Sequence, residues 1–185
     1  MRLFSNPRTI WYIFKYQIIL RKAVFGRGTL IKCKLRITGP GKITTGTNCI
    51  FEADPWGDDY VTVYTHRKRA VVTIGNNVIL RATRIGSHLS INIGNNCLIE
   101  NASVYDSDFH NVDATKRNEN FNEGDRLVDI GDNCYVGCES LCSKGTILTH
   151  NVIMRPLSVI GTKKIPADSI VGGIPARIVK AEAIS

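Results

Sequence analysis

From Ile130 to Ile165 the sequence repeats every six residues. Apolar side chains return at Ile130, Val136, Cys142, Leu148, Met154 and Ile160, and four places after the first five stand the small or β-branched Cys134, Ser140, Thr146, Val152 and Ser158. With 43% apolar residues in the chain, six hits in one fixed phase arise by chance about once in a hundred or less. A period of six suits neither the 3.6-residue turn of an α-helix nor the two-residue alternation of a strand. It is the signature of a parallel β-helix built from hexapeptides.

Followed backwards, the count fixes neighbours. Ile37, Ile43 and Cys49 open an early coil, Ile74 and Leu80 a second, and Ile93, Ile99 and Tyr105 a third. The motif Ile-Gly-Asn at Ile74 and Ile93 returns as Ile-Gly-Asp at Ile130, at intervals of 19 and 37 residues. If three hexapeptides make one 18-residue coil, the second interval holds a 19-residue excess, read as a loop over 111–129 that leaves the coil after His110. The same register stacks Ile74, Ile93, Ile130 and Leu148 in one interior column and Leu80, Ile99, Val136 and Met154 in the next. Asn77, Asn96, Asn133 and Asn151 then share a corner, where Asn tolerates the left-handed backbone and can bond along the ladder. Ser143, Lys144 and Gly145 fall one coil above Asp106, Ser107 and Asp108.

Composition narrows the partners. At 185 residues the chain is long enough for one well-buried core. The balance of 24 Lys and Arg against 16 Asp and Glu favours an anionic partner such as a phosphorylated cofactor or a membrane surface. Nucleic acid is disfavoured because no recognition motif is present. Cys49, Cys97, Cys134 and Cys142 occupy inward repeat positions, so reduced core thiols and a cytoplasmic location are expected. Residues 1–27 depart from the repeat. The stretch from Ile10 to Phe25 reads as a helix, apolar and aromatic but broken by Lys15, Gln17, Arg21 and Lys22, too short and too interrupted to span a bilayer. It is read either as a cap on the open end of the β-helix or as an interfacial helix in peripheral contact with anionic lipid through residues 8–25. The expected organisation is this segment, a β-helix over 28–171 with loops at 54–70 and 111–129, and a C-terminal extension over 172–185.

The run from Ile130 to Lys180, ending in Gly172-Gly173-Ile174-Pro175-Ala176-Arg177, resembles the C-terminal half of the hexapeptide-repeat acyltransferases. Ser107-Asp108-Phe109-His110 before a loop resembles their catalytic histidine segment. The resemblance covers about residues 35–181 and is nearest to the sugar O-acetyltransferases of bacterial surface-polysaccharide pathways. It implies an all-β, left-handed parallel β-helix, a homotrimer, and acetyl-CoA bound as cosubstrate in the cleft between adjacent subunits.

Acyl transfer from a thioester to a sugar hydroxyl needs a base, because a hydroxyl is a poor nucleophile at neutral pH, and imidazole has a suitable pKa. His110 is the expected base, with Asp106 or Asp108 as the carboxylate that orients it. His88 is kept as a residue on the acceptor side. Cys138 and Cys142 are read as wall or core. The phosphates of coenzyme A need cations or N–H donors, and the resemblance assigns Thr162, Lys163 and Arg177 to them, with Lys180 as a further contact. Lys144 borders the same strip. Where relatives often carry small residues, this chain has Met154-Arg155-Pro156-Leu157, which makes Arg155 a candidate for phosphate as well.

Two other functions use the same scaffold. One is N-acetylation of an amino sugar or nucleotide sugar. The other is a non-acetylating β-helix, metal-dependent or structural. A metal site of that kind needs three convergent histidines, including a closely spaced pair, whereas His66, His88, His110 and His150 stand 22, 22 and 40 residues apart. No metal is expected.

Overall fold

A computed structural model describes residues 6–55, 57, 60–111, 113–116 and 126–179. Asn6 opens the chain's helix α1 (Pro7–Ile13), its side chain accepting from the Arg8 and Thr9 amides, with Pro7 in the first turn, where a missing N–H costs nothing. The helix runs on as a π-helical turn, Phe14–Ile19. Short strands then wind upward. The first coil is β1 (Ala23–Val24), β2 (Leu30–Ile31) and β3 (Lys34–Thr38), and the second β4 (Lys42–Thr45), β5 (Ile50–Glu52) and β6 (Tyr60–Thr65). The third is β7 (Val71–Ile74), β8 (Ile79–Arg81) and β9 (Arg84–Ser87), and the fourth β10 (Ser90–Ile93), β11 (Leu98–Glu100) and β12 (Ser103–Tyr105). The fifth is β13 (Val128–Ile130), β14 (Tyr135–Val136) and β15 (Leu141–Cys142), and the sixth β16 (Thr146–Leu148), β17 (Ile153–Met154) and β18 (Val159–Ile160). β19 (Lys163–Ile165) and β20 (Ile170–Gly173) begin a seventh, which β21 (Ala176–Val179) closes by turning back antiparallel along β20.

The first strands of successive coils pair in parallel to form face A of a three-sided prism, the second strands face B and the third face C. The two interior columns expected from the six-residue count are present, with Ile74, Ile93, Ile130 and Leu148 on face A and Leu80, Ile99, Val136 and Met154 on face B. All eight are buried. The A–B edge carries the asparagine column, every member at φ 57°. Each amide donates to the side chain above it, from Asn48 through Asn77, Asn96, Asn133 and Asn151 to Asp168, at 2.7–3.3 Å.

Five details depart from the sequence reading. Tyr105 does not point inward; its neighbour Val104 does, stacked between Ile85 and Cys142. The corner before β12 turns at Asn101, whereas the one before β15 takes one residue more and turns at Glu139. That extra residue moves the strip above by one place, so Lys144 rather than Ser143 stands over Asp106. In the early coil, β4 and β7 are long enough to bury two residues each, so Ile43 pairs with Val72 and Thr45 takes the place opposite Ile74. Further, 54–70 is not all loop. Tyr60–Thr65 is made of β-branched and aromatic residues, with Val61, Val63 and Thr65 turned inward, and forms β6, between β3 and β9. The first coil begins at Ala23, five residues ahead of the expected boundary.

The helical segment covers the open lower end. Thr9 Oγ1 accepts from the Ile31 amide at 2.8 Å and donates to its carbonyl, while the Tyr16 hydroxyl donates to the Leu35 carbonyl and accepts from the Ile37 amide. These side chains satisfy backbone groups of β2 and β3 that have no coil beneath them. All six cysteines are free, and five are buried. Cys49, Cys97 and Cys134 donate to corner carbonyls of the next coil, at 3.1, 3.1 and 3.0 Å.

The asparagine ladder sets a stability test. Asn133→Ala removes two ladder bonds and puts a side chain with no local hydrogen bond at φ 57°, so it is expected to lower unfolding free energy by about 1–2 kcal/mol. Asn133→Gly, which relieves only the backbone, should recover part of that loss. Denaturant unfolding of the two variants checks this, and equal stability of Asn133→Ala and the parent would show the ladder to be neutral.

Candidate functional site

The C–A edge collects most of the residues with chemistry. On successive coils it carries His66, His88, residues 106–111 with 126–127, residues 144–145 and Thr162; of the expected loop 111–129, residues 112 and 117–125 lie outside the described residues. Thr65 pairs with Ser87 across β6 and β9, so His66 and His88 follow their strands at the same level and meet, ring centres 4.5 Å apart. A 22-residue interval, read along the chain as distant, is here one coil. Among the described residues no group of three His, Cys, Asp or Glu is arranged to hold a metal ion.

Asp106 is fully buried and holds this edge together. Its carboxylate accepts from Ser87 Oγ at 2.7 Å and from the His88 and Leu89 amides at 2.7 and 2.8 Å. With both oxygens so engaged, Asp106 fixes the His88 corner and is not the partner of His110. The His88 ring is buried, with Nδ1 3.1 Å from Ser107 Oγ and 3.5 Å from Arg67 Nη2. Ser107 Oγ in turn accepts from the Phe109 amide at 2.9 Å, in a tight turn where Phe109 adopts φ 60°. Phe109 and the ring of His88 meet edge to face.

His110 follows that turn with its side chain exposed and its amide bonded to the Asp108 carbonyl. Asp108 is paired with Lys144 Nζ at 2.5 Å, so the second carboxylate also has a partner of its own. The Arg126 amide bonds to the Asp106 carbonyl, and the Gly145 amide bonds to the carbonyls of Arg126 and Leu127. The chain thus re-enters the prism beside the point where it left. Above this, the Thr162 amide and Oγ1 both donate to the Lys144 carbonyl. A groove of about 350 Å³ opens there, lined by Arg126, Gly145, Thr162, Lys163 and Lys164 among others. The arrangement suits an anion: three cationic side chains, with Gly145 at φ 77° keeping the floor low.

Arg155 and Arg177 lie elsewhere. Arg155 turns the B–C edge with its side chain against Gly172, and Arg177 stands opposite Gly172 across the β20–β21 pair. Face C separates both from Thr162 and Lys163. Lys180 lies outside the described residues.

An aromatic patch beside His110 was not foreseen. Tyr64, Gly86 and Tyr105 align on the outer surface of face C. The Tyr64 ring lies across Gly86, where an added Cβ would come 2.4 Å from it. Tyr64, Tyr105 and His66 surround Phe109 at centroid distances of 5.4, 5.5 and 4.8 Å. Its sequence signal is the inward Val61, Val63 and Thr65 between outward tyrosines, which marks 60–65 as a strand rather than the expected loop. Burial pushes the Cys142 thiol up to about 12, and bonding between Cys97 and Cys134 raises the first thiol and lowers the second.

No protein-family model matches the chain. Among solved structures, a single-site variant of AntD, an N-acyltransferase from Bacillus cereus in complex with dTDP-4-amino-4,6-dideoxyglucose and coenzyme A, superposes with a TM-score of 0.65 at 20% identity, over 98% of this chain and 91% of that one. AntD with dTDP and 3-hydroxybutyryl-CoA gives 0.55 at 20% identity, over 98% and 90%. Galactoside acetyltransferase in complex with coenzyme A gives 0.52 at 16% identity, over 96% and 74%. The chain has the left-handed parallel β-helix fold of the hexapeptide-repeat acyltransferases.

The histidine cluster generates a pH prediction. Burial, and then the neighbouring His88 and His110, hold the His66 pKa below the ordinary histidine value near 6.5. The unfolded chain therefore binds more protons than the native one at mildly acid pH, and stability present above about pH 6.5 falls as pH drops below it. His66→Gln should show a smaller decline in Tm between pH 7.5 and 5.5 than the parent, by thermal unfolding. An unchanged decline would remove His66 from the account.

Proposed function

We propose that this protein is an acetyl-CoA-dependent O-acetyltransferase that modifies a sugar hydroxyl of a bacterial surface polysaccharide or its precursor, with His110 as general base. The observation that carries the reading is the meeting, on one edge of the prism, of an exposed histidine with a cation-lined groove that rises from Arg126, bonded to Asp106, to Thr162 and Lys163. The likeness of fold to acyltransferases crystallised with coenzyme A supports it.

In this reading His110 removes the proton of the acceptor hydroxyl as its oxygen attacks the thioester carbonyl carbon. The tetrahedral intermediate collapses, the C–S bond breaks, and the proton held by His110 passes to the departing thiolate. The sugar leaves as its acetyl ester and coenzyme A as the thiol, with no covalent enzyme intermediate. Asp106 contributes by positioning the His88 corner, and Asp108 by anchoring Lys144. His88 stands beneath the acceptor side. Thr162 and Lys163 take the phosphates of coenzyme A, in a groove whose cations fit that charge.

Arg155 and Arg177 belong to the same cofactor site only if a second subunit supplies them, because they stand on the opposite side of face C. This supports the homotrimer with intersubunit cofactor clefts. The exposed Ile153, Leu157, Ile174 and Ile178 around the two arginines supply apolar surface for such contacts. The enzyme works in the cytoplasm, peripheral to the inner face of the membrane through residues 8–25.

A second reading is N-acylation of an amino sugar, which the AntD likeness over 98% of the chain favours. Paired acceptors that differ only in hydroxyl or amine, assayed by CoA release and product mass, separate the two. His110→Ala is expected to lower kcat at least a hundredfold while leaving coenzyme A affinity and the oligomer unchanged. Substantial turnover in that variant would reject His110 as the base. Thr162→Ala combined with Lys163→Ala should instead weaken coenzyme A binding by about tenfold or more, the loss of roughly 1.4 kcal/mol or more, measured by calorimetry.

A further inference from the structure

The charge of this chain is unevenly placed. Residues 1–51 contain ten of the 24 Lys and Arg and no Asp or Glu; the first acidic residue is Glu52. The rest of the chain holds fourteen cations against sixteen acids. The whole excess of positive charge therefore sits on the helical segment, the first coil and the start of the second. Arg8, Arg21, Arg27, Lys32, Lys34, Arg36 and Lys42 are exposed there.

The helix at this end has two apolar faces, where a surface helix needs one. Thr9, Tyr12, Ile13 and Tyr16 face the prism, with Tyr12, Ile13 and Tyr16 packed on its core. On the other side Ile10, Trp11, Phe14, Ile18, Ile19 and Leu20 remain 42–57% exposed. Ile10, Phe14 and Ile18 recur every four residues, and with Trp11 they form a continuous stripe. Capping the coil accounts for the inner face and its hydrogen bonds. It leaves the outer one unexplained.

We infer that the first-coil end of the prism docks end-on onto an anionic lipid bilayer, with the outer face of the helical segment buried among the headgroups and the basic first coil held over the phosphates. This rests on the reading of residues 8–25 as membrane-facing and deepens it, by assigning the anchoring side chains, the lipid charge and the orientation. The complementarity is twofold. An apolar stripe with an interfacial tryptophan inserts into the boundary layer, and a segment with no carboxylate of its own over fifty residues, where Lys32 pairs with Glu52 of the second coil, brings a net positive charge to the negative headgroups. A second copy of this chain would be the poorer occupant, since it would bring the same positive charge against itself.

The test is flotation of the full chain with vesicles of phosphatidylcholine, pure or with 30% phosphatidylglycerol. Binding to the mixed vesicles is expected, at least tenfold weaker to pure phosphatidylcholine and at least tenfold weaker in 0.5 M NaCl. In a Trp56→Phe background, Trp11 is the sole tryptophan, and its emission should shift to the blue on binding. Trp11→Ser with Phe14→Ser should lower vesicle affinity at least tenfold, as should Arg36→Glu with Lys42→Glu, whose apolar face is intact. Equal binding to neutral vesicles, or undiminished binding by the variants, would overturn the proposal. So would loss of oligomer in Trp11→Ser with Phe14→Ser without vesicle binding by the parent, which would make the stripe a contact between copies. Coenzyme A affinity measured on the same proteins is expected to be unchanged. A parent chain that binds vesicles but not coenzyme A would overturn the acyltransferase reading and leave the docking intact.

Discussion

The structure depends on one constraint: the backbone of each coil finds its hydrogen-bond partners in the coils above and below. A six-residue face is too short to satisfy itself, and a single coil has almost no interior. Stability arises from stacking, at the fixed spacing of about 4.8 Å between paired strands. Everything at the corners follows. The chain must turn at nearly the same place in each layer, which is why residues at φ 57° recur in a vertical row along the A–B edge. Asparagine serves there because its amide also links the layers. The ends of the stack are the weak points, and the fold closes them differently, with a helix below and an antiparallel hairpin above.

Such a scaffold separates roles by surface. Inward positions hold small and branched apolar side chains, and the flat faces carry little that is reactive. Chemistry collects at the edges, where the backbone bends and where a side chain on one layer comes beside its counterparts on the next. His66 and His88 touch because they occupy equivalent places, not because the sequence brings them close. Asp106 shows the cost of building such an edge. Its carboxylate is sealed from solvent and committed to three donors of the layer below, so the corner beside His110 is rigid although His110 itself is exposed.

Much of the fold was legible in the chain because the repeat is strict wherever packing is strict. From Ile74 upward, two columns and the asparagine row were recoverable from intervals alone. What was lost sits where the count slips. One extra residue before Glu139 shifted the strip at Lys144, and the longer strands β4 and β6 masked the second coil, so Tyr64 and its neighbours went unseen as a group. Of the residues the sequence singles out, His110, Lys144, Thr162 and Lys163 share an edge in the structure. The site was not legible at Asp106, because nothing in a sequence distinguishes a carboxylate that orients an imidazole from one that staples a turn.

The excursion after His110 illustrates a wider property of stacked folds. Ile91 pairs with Val128 as regularly as it does with Val72, though 22 residues separate β12 from β13 and only two separate β9 from β10. The layers on either side do not register how much chain was spent between them. Closing a longer loop adds only about 0.6 kcal/mol for each doubling of its length. Residues can therefore be added or exchanged at that corner with little effect on the folded body. Under the proposed function, an acceptor preference written there can diverge quickly among proteins whose coils hardly change, so members of such a lineage would differ most where they select a substrate and least where they hold together.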